Sequence, residues 1–343
     1  MKPSKKILAI DIGYGDTKVK SANKTFKFKS GFAPYRHVDL GLGSTYGVEV
    51  WVDKVAIGPV IVGEPAVHYP GFVEPSENSR LGSEEAIPLL AEAVVRADLH
   101  GDIILATGAP IDLYQNERIN LKKWLNKVIS IKTTENTTHD VRIVETITRP
   151  QGIAAAIFLA SENKFPKEHG IALVIDPGSR TTDIVAISLP SLDPIKSLCF
   201  SIPVGVGDLF NGIATSLGKE LNGFRPKRGN IQQQFENEFF EFRGRKVELQ
   251  PIIQVNREIV MVQLENEIRK RIGDQAEDII AIAGSGGGAL DMLLGQILSR
   301  VYPGVSVIPC GDGVSDPSFM NVEGYYVIAD RLSEAKQQKS EAS

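Results

Sequence analysis

The sequence predicts an α/β protein built from two related lobes, and three observations lead to this fold class. Apolar runs typical of buried strands alternate with amphipathic helical segments along the chain. The length of 343 residues exceeds what one compact core usually holds, at about 100–200 residues per domain. The segment ILAIDIGYGDTKV near the start is echoed by ALVIDPGSRTTDIV in the second half. Two lobes usually leave a cleft, so a ligand site between them is expected.

Composition limits the class of protein. A hydrophobic fraction of 42% and a charged fraction of 23% are ordinary for a globular chain. The net charge of −4 argues against direct, general nucleic-acid binding, because neutralising phosphates requires an excess of Lys and Arg. Any contact with DNA is therefore expected to be local or indirect.

The cysteines and the apolar runs predict a cytoplasmic location. The chain has 2 cysteines, which are too few for a disulfide framework. The start, MKPSKKILAIDIG, has too short an apolar run for a signal peptide, and no apolar run approaches the ~18 residues of a membrane span. Neither export nor a contact with a membrane is expected.

The first half opens with a hairpin, in which Ile7–Ile10 and TKVKSA pair across a glycine turn. Short β-rich segments follow, and EEAIPLLAEAVVRADL then predicts a helix with Ile87, Leu90, Ala91 and Val94 on one face. After the buried strand DIILATGAP, a second amphipathic helix is predicted to carry Leu121, Trp124, Leu125 and Val128.

The second half repeats the opening pattern at IALVIDPGSRTTDIVAISL. A polar, Gln-rich stretch then suggests an insertion or a mobile surface element. A long helix is predicted from about Val255 to Ile272, followed by a strand, a glycine turn and a helix in DIIAIAGSGGGALDML. The segment EGYYVIADRLSEA predicts a closing helix.

These elements predict the domain boundaries. The first lobe is predicted to contain residues 1–150, with a small β-rich insertion at about 31–82, and to be completed by residues from about 312 to 335. The second lobe is predicted to contain residues 151–311, with an insertion at about 190–255. Residues 336–343 are predicted to form a flexible tail.

The segment IAGSGGGALDML contains four glycines in a short space. It predicts a flexible linker, a tight turn, or a backbone that passes close to a bound group. Glycine lacks a Cβ, so successive amides at such a turn can approach phosphate oxygens closely. One such turn is weak evidence, but this chain has three. The apolar flanks IIAIA and LDMLL disfavour a linker.

The echoed segments share the same spacing of polar residues. In both, a buried strand ends in Asp, Gly follows two residues later, and Thr follows four residues after that. The matching residues are Asp11, Gly13 and Thr17 in the first segment and Asp176, Gly178 and Thr182 in the second.

The two strand-end carboxylates predict a cation site. A carboxylate at a strand end beside a glycine turn is costly unless a cation shares the site. Mg²⁺ commonly binds one or two carboxylates together with phosphates, so Asp11 and Asp176 are its predicted ligands. Lys18 is either a phosphate ligand or a solvated strand residue. Asp16 and Asp183 are either site residues or turn caps.

The motifs LAIDIGYGDTKV, RPQG, LVIDPGSRTTDIV and IAGSGGGA occur in the order and at the separations found in the superfamily of actin, the heat-shock chaperones and the sugar kinases. They resemble its first phosphate loop, first connecting segment, second phosphate loop and adenosine loop, and the resemblance covers nearly the whole chain. VIVGEPAV, LATGAP, PVGVGDLFNGIA and DPSFMNVEGYYVIA most resemble the plasmid-segregating ParM (StbA) group and its archaeal actin-like relatives.

This resemblance implies an actin-like fold, a duplicated ribonuclease H-like unit with a nucleotide cleft between its lobes, and ATP or ADP with Mg²⁺ as cofactors. Gln151 is implied to orient the attacking water, although an ordinary helix N-terminal residue is its alternative. Asp176 is implied to polarise that water, and Asp11 is the third catalytic candidate. The slow reaction expected is Mg²⁺-dependent ATP hydrolysis coupled to polymerisation.

The resemblance also implies the nucleotide-binding residues. Glu265 and Arg269 are candidates for adenosine contacts, with a helix C-terminal charge cluster as the alternative for the basic residues. The other implied contacts are Gly13, Tyr14, Gly15, Asp16, Thr17 and Lys18; Gly178, Ser179, Arg180 and Thr181; Gly207 and Asp208; and Gly284, Ser285, Gly286, Gly287 and Gly288.

The function implied is an ATPase that forms a head-to-tail filament with its own copies. Such a filament would segregate plasmid DNA through a DNA-binding adaptor, or position other cargo. The alternatives are a small-molecule kinase, a chaperone-like monomeric ATPase, or a cell-division or pilus scaffold. The 5 histidines show no ligand spacing along the chain and are expected to be surface or loop residues.

Overall fold

The computed structural model describes residues 6–35, 46–74, 83–291, 298–299, 302–308 and 316–341. It divides the chain into two compact units. Unit 1 contains Met1–Glu162 and Phe319–Ser343, and unit 2 contains Asn163–Ser318. Within the described part of the chain, no helix has the length and apolar character needed to cross a membrane.

Unit 1 is built on a nine-stranded sheet with the order β3-β2-β1-β7-β9-β8-β5-β6-β4. The three strands β4, β5 and β6 come from the predicted β-rich insertion, and they extend this sheet because β5 pairs with β8. The strands are β1 (Lys6–Ile12), β2 (Asp16–Lys20), β3 (Thr25–Lys29), β4 (Phe32–Pro34), β5 (Val48–Val52), β6 (Val55–Val62), β7 (Gly101–Ala109), β8 (Val128–Thr133) and β9 (Thr138–Pro150).

Helices of unit 1 pack against this sheet, and α1 does so with an apolar face. In α1 the predicted face of Ile87, Leu90, Ala91 and Val94 is buried, as the sequence predicts. The helices are α1 (Ile87–Arg96), α2 (Tyr114–Leu121), α3 (Ile153–Ser161) and the closing helix α8 (Met320–Glu341).

The second predicted amphipathic helix is wrong beyond its first turns. Helix α2 ends at Leu121, a single 3-10 turn follows, and Val128 begins strand β8. Asn126 adopts a left-handed conformation, with φ of 65°, and its amide donates to the Ile143 carbonyl. The chain therefore leaves the helix to pair with β9, and this long-range pairing is invisible to helical periodicity.

The unit boundary lies later than the predicted boundary at residues 150 and 151. Helix α3 belongs to unit 1 because it packs closely against α8. The contact has no room for a side chain, since a Cβ on Gly324 would lie 1.9 Å from the Ala154 carbonyl oxygen. Helix α8 continues through most of the predicted tail to Glu341, and Lys336 forms an ion pair with Glu145.

Unit 2 contains a five-stranded sheet with the order β12-β11-β10-β15-β16 and a separate hairpin. The strands are β10 (Gly170–Pro177), β11 (Thr182–Leu189), β12 (Phe200–Ile202), β13 (Phe239–Phe242), β14 (Arg245–Glu248), β15 (Ile279–Gly284) and β16 (Ser306–Ile308). The helices are α4 (Val206–Glu220), α5 (Arg228–Gln233), α6 (Gln250–Ile272) and α7 (Gly288–Asp291).

The stretch predicted as an insertion at about 190–255 contributes to the core of unit 2. It includes β12 of the main sheet and α4, whose Leu209 and Ile213 are fully buried. Ile231 and Phe240, from the polar Gln-rich part, are fully buried as well. In this part of the sequence the apolar residues are isolated among polar ones. Because they show no strong periodicity, the sequence does not indicate that they pack into the core.

The two units repeat one arrangement of strands. The order β3-β2-β1-β7-β9 in unit 1 matches β12-β11-β10-β15-β16 in unit 2. In each series, adjacent strands among the first three are antiparallel, and the last two strands run parallel to the third. The predicted α/β fold of two related lobes is confirmed.

Candidate functional site

The turn between β1 and β2 is the predicted first phosphate loop. The Gly13 amide donates to the Asp16 carbonyl at 3.2 Å, which closes the turn. A Cβ on Gly13 would lie 2.9 Å from that oxygen and 3.1 Å from Nζ of Lys18. Glycine is therefore required here, and the Lys18 ammonium lies over the turn. Tyr14 and Gly15 complete the loop, and Asp16 begins β2.

The base of this loop is held by buried hydroxyls. Oγ1 of Thr17 lies 2.8 Å from Oγ of Ser30, and both residues are fully buried. The Ser30 amide also donates to the Gly15 carbonyl at 2.9 Å. Thr17 thus supports the loop from within, and Ser30 is a supporting residue that no motif in the sequence marks.

The turn between β10 and β11 repeats the first loop. The Gly178 amide donates to the Thr181 carbonyl at 2.8 Å, the same pairing that Gly13 and Asp16 make. Thr182, at the position of Thr17, is fully buried and donates to the Val204 carbonyl at 2.7 Å. The predicted echo is therefore a repeat of hydrogen bonds as well as of residue types.

The second loop is held from behind by the start of α4. The Val206 and Gly207 amides donate to the carbonyls of Gly178 and Ser179, at 2.9 and 2.7 Å. Oδ2 of Asp208 accepts from the Gly205 amide at 2.9 Å. Because these groups already make hydrogen bonds within the protein, Gly207 and Asp208 hold the loop in shape. Their direct contact with a nucleotide stays a prediction.

Two other residues of the second loop differ in their surroundings. Ser179 accepts a hydrogen bond from Nη1 of Arg228 at 2.6 Å, a contact that joins the loop to α5. Arg180 is exposed at the tip of the loop. Arg228 is a loop-positioning residue that the sequence did not single out, because it lies 49 positions further along the chain.

The two strand-end aspartates occupy equivalent buried positions. Asp11 lies opposite Lys18 in the β1–β2 ladder, and Asp176 lies opposite Asp183 in the β10–β11 ladder. Residues directly opposite each other point to the same face of a sheet. The first hairpin therefore places a cation beside its carboxylate, whereas the second places a carboxylate there. Asp183 accepts from the Ser201 hydroxyl and lies within the ladder, so it is not a turn cap.

Gln151 and Asp11 are brought together although they are 140 positions apart. Nε2 of Gln151 donates to Oδ1 of Asp11 at 3.0 Å. The Gln151 backbone is fixed as well, since its amide donates to the Ala109 carbonyl at 2.9 Å. The next amide, from Gly152 at a φ of 73°, donates to Oδ1 of Asn321 at 2.9 Å. Asn321 is a further supporting residue that the sequence did not mark.

The glycine-rich segment is a turn packed tightly on the second loop. Gly286 has a φ of 75°, and a Cβ there would lie 2.2 Å from Oδ1 of Asp176. A Cβ on Gly288 would lie 2.3 Å from the Pro177 carbonyl oxygen. The backbone must therefore pass close to the carboxylate and the loop, which explains the glycines and excludes a linker.

The remaining residues of this turn have distinct roles. The Ser285 amide donates to the Ile175 carbonyl at 2.8 Å, so it continues the pairing of β15 with β10 from Gly284. Gly287 has open space on its Cβ side, where the nearest atom is 3.8 Å away. Neighbouring atoms therefore do not require a glycine at Gly287.

Glu265 and Arg269 form a pair on α6 beside a buried tyrosine. Nε of Arg269 donates to Oε1 of Glu265 at 3.1 Å. Burial raises the pKa of Tyr302 to about 12, and the charges of Arg269 and Glu265 act on it in opposite directions. The Tyr302 hydroxyl is buried without a hydrogen-bond partner among the described residues. Tyr302 is a polar residue near this pair that no motif in the sequence marks.

Comparisons with known proteins agree with the repeated architecture. Residues 9–153 match a family described as the N-terminal domain of actin-like proteins. Residues 174–299 match a family described as archaeal actin homologue MreB-like, C-terminal. An archaeal actin homologue of Thermoplasma volcanium is 27% identical over 338 residues, which cover 95% of this chain and 99% of that protein.

Solved structures extend this similarity. The crystal structure of an archaeal actin homologue in complex with ADP is 28% identical, with a TM-score of 0.81 over 95% of this chain and 99% of that one. A ParM from a 15-stranded filament of Clostridium botulinum has the same fold, with a TM-score of 0.79 at 20% identity over 96% of this chain and 99% of that one.

Proposed function

Since the chain belongs to the actin-like proteins, we propose that it binds ATP with Mg²⁺, hydrolyses it slowly and assembles with its own copies into dynamic filaments. The observation that carries this proposal is the hydrogen bond from Gln151 to Asp11, beside a glycine turn of the phosphate-loop type. The ADP complex of a similar archaeal actin homologue supports adenine nucleotide as the ligand.

The phosphate groups would be held by amides of the two glycine turns and by the Lys18 ammonium. Nζ of Lys18 lies over the first turn, 3.1 Å from where a Cβ on Gly13 would stand. A lysine held over a turn of backbone amides suits an anionic ligand. The turn at Gly178, shaped by α4, supplies the second set of amides.

The residues at the strand ends fit Mg²⁺. Asp11 is buried and accepts a hydrogen bond from the neutral amide of Gln151, and Lys18 lies opposite it in the ladder. A buried carboxylate at a strand end suits a metal ligand, and Asp176 is the equivalent residue of the other unit. When bound, Mg²⁺ supplies charge neutralisation at the phosphates.

Hydrolysis would depend on the orientation of one amide. Because Nε2 of Gln151 is engaged by Asp11, its Oε1 is left to accept a hydrogen bond from a water molecule. An amide fixes the position of a water without removing its proton strongly, so a slow reaction is expected. Asp176 is proposed to polarise the same water.

Filament formation would use exposed apolar surface, and α6 carries such a surface. Val255, Ile259 and Val262 are 56%, 53% and 50% exposed, although the opposite side of the helix is buried in the core. Their spacing of four and three residues places them on one face. We call this face the α6 stripe. Exposed branched apolar residues in a row are typical of protein–protein contacts.

The cargo of such a filament would be DNA reached through an adaptor. The net charge of −4 disfavours direct binding to phosphates along a filament. A separate DNA-binding adaptor, as expected from the ParM resemblance, would avoid this repulsion. Plasmid segregation is therefore the proposed role, with positioning of other cargo as its alternative.

The test is right-angle light scattering of the purified protein after addition of Mg–ATP, with phosphate release followed in the same sample. The proposal predicts a prompt rise in scattering, a lag before phosphate appears, and a fall as ATP is exhausted. Phosphate release without scattering at any protein concentration would contradict the filament. It would favour a monomeric chaperone-like or kinase-like ATPase instead.

A further inference from the structure

Three potential metal ligands meet in unit 1 at a place unrelated to the phosphate loops. They are Asp98, His100 and His139, and their ligand atoms all lie within 4.8 Å of one another. The sequence does not reveal this group, because His139 lies 39 positions after His100. The pairing of strands β7 and β9 brings the residues together, since Gly101 lies opposite Val141.

The end of α1 presents Asp98 and His100 on a defined turn. Asp98 adopts a left-handed conformation with φ of 54°. Its amide donates to the Val95 carbonyl, and the Leu99 amide donates to the Val94 carbonyl. These two bonds form a Schellman motif, in which glycine usually takes the left-handed position. Asp98 therefore places a carboxylate at a position where a Schellman motif usually has glycine.

His139 is the buried anchor of the group. It lies near the start of β9, and its Nδ1 is 3.4 Å from the Leu99 carbonyl oxygen. Donation of the Nδ1 proton to this carbonyl leaves a lone pair on Nε2, which is the form in which histidine binds metals. A backbone carbonyl that orients a ligating histidine in this way is typical of metal sites.

The two exposed residues have the freedom to complete a site. His100 stacks on His139 with ring centroids 4.5 Å apart and ring planes inclined by 16°. Nε2 of His100 lies 3.4 Å from Oδ1 of Asp98, and the two side chains are 49% and 71% exposed. Ligand atoms around tetrahedral Zn²⁺ lie about 3.3 Å apart, so small rotations of the exposed side chains would bring them into range.

We propose that Asp98, His100 and His139 form a binding site for a divalent transition metal ion, with Zn²⁺ as its best-fitting occupant. Two imidazoles with one carboxylate favour such ions over Mg²⁺ and Ca²⁺, which prefer oxygen ligands. Water would take the remaining coordination position. The bound ion would join the end of α1 to the start of β9.

This site is distinct from the proposed nucleotide site. Asp98 and His100 precede β7, whereas the predicted nucleotide residues of unit 1 lie where the parallel strands β1 and β7 end. The seven residue steps from Gly101 to Gly108 span about 23 Å at ~3.3 Å per step. The proposed ion would therefore act on the structure of unit 1 without touching the phosphates.

The test is Zn²⁺ uptake by the full-length protein, measured by competition with a chromophoric chelator in excess Mg²⁺ and ADP. Excess Mg²⁺ keeps Zn²⁺ away from the carboxylates of the proposed nucleotide site. The wild type should bind one more equivalent of Zn²⁺ than His100→Ala does. Asp98→Asn should weaken this binding at least ~10-fold, because one anionic ligand is lost. His169→Ala, at an exposed histidine of unit 2, should bind Zn²⁺ as the wild type does.

Co²⁺ provides a second readout that does not depend on chelator competition. Wild type with Co²⁺ should show visible d–d absorption that His100→Ala lacks and His169→Ala retains. Because His100 is exposed, its replacement should leave folding intact, which circular dichroism checks. Equal Zn²⁺ uptake by the wild type and His100→Ala would overturn the site. Equal losses of uptake in His100→Ala and His169→Ala would do so as well.

Discussion

Nε2 of Gln151 lies 3.0 Å from Oδ1 of Asp11, so a residue after β9 is joined to the end of β1. The contact fixes the amide and gives the buried carboxylate a neutral donor. It also ties two predicted roles, orientation of water and binding of Mg²⁺, to one local geometry within unit 1.

Gln151→Ala should lower the rate of ATP hydrolysis by roughly 10- to 100-fold, because the attacking water loses its fixed acceptor. Nucleotide affinity should change little, since the phosphates are held by other groups. Single-turnover phosphate release and titration calorimetry measure the two effects separately. Gln115→Ala, at an exposed glutamine of α2, is the control. Equal turnover in Gln151→Ala and the parent would exclude the role of Gln151.

Asp11→Asn should weaken Mg²⁺-dependent nucleotide binding by roughly 10- to 100-fold, because a charged metal ligand becomes a neutral amide. Calorimetry with and without Mg²⁺ measures this change, and the effect of Mg²⁺ should largely disappear in the variant. Asp102→Asn, at an exposed residue paired with Arg142, should behave as the parent. A variant that unfolds more readily but binds Mg–nucleotide normally would assign Asp11 a structural role.

Gly286→Ala should destabilise unit 2 by about 2–4 kcal/mol, because the new methyl group meets the Asp176 carboxylate and the backbone has a positive φ. Gly244→Ala separates the two causes. Gly244 has a φ of 78°, close to that of Gly286, but open space around its Cβ position. It should lose only about 1 kcal/mol. Denaturant unfolding measures both variants, and equal losses would mean that the contact with Asp176 adds nothing.

Ile259→Asp should raise the critical concentration for assembly at least ~10-fold, because it places a charge in the middle of the α6 stripe. Nucleotide binding by the monomer should be unchanged. Sedimentation in the presence of Mg–ATP measures assembly. Gln254→Asp introduces the same charge at an exposed position of the same helix, about a quarter turn from the stripe. Equal assembly by the two variants would place the contact elsewhere.

Glu92→Gln should stabilise unit 1 relative to the parent as pH rises. Burial raises the pKa of Glu92, and the bond from Arg96 opposes this effect only in part. The native state therefore binds more protons than the unfolded state above the ~4.3 of a free glutamate, and the parent loses stability as pH rises through the native pKa.

The groups that surround Glu92 define the control. Arg96 donates to Oε1 of Glu92, the charge of Glu64 raises its pKa further, and Tyr46 has its own pKa raised by burial and by Glu92. Thermal unfolding of Glu92→Gln and of the parent should diverge as the pH rises above the ~4.3 of a free glutamate. Glu84→Gln, at an exposed position, should differ from the parent by a constant amount. A constant difference for Glu92→Gln would contradict the raised pKa.

Local spacing predicted the parts of the molecule in which strand, turn and strand are adjacent in the chain. The offsets from Asp11 to Thr17 and from Asp176 to Thr182 correspond to two hairpins whose turns are closed by the same backbone hydrogen bond. The glycines of IAGSGGGA indicated a close approach of the backbone. The groups that the backbone approaches are the Asp176 carboxylate and the Pro177 carbonyl. They could be identified only from the structure, because the pairing of β10 with β15 brings them together with the glycines.

The sequence by itself determined the α/β class and the glycine turns, because these depend on residues close together in the chain, and it determined the two related lobes because the same local spacing occurs at Asp11 and again at Asp176. The tertiary structure decided which distant residues meet: Gln151 with Asp11, Ser179 with Arg228, and His100 with His139. It also assigned α3 to unit 1, through the contact of Ala154 with Gly324. Such contacts follow from strand order and helix packing, and the pattern of residue types along one segment contains neither.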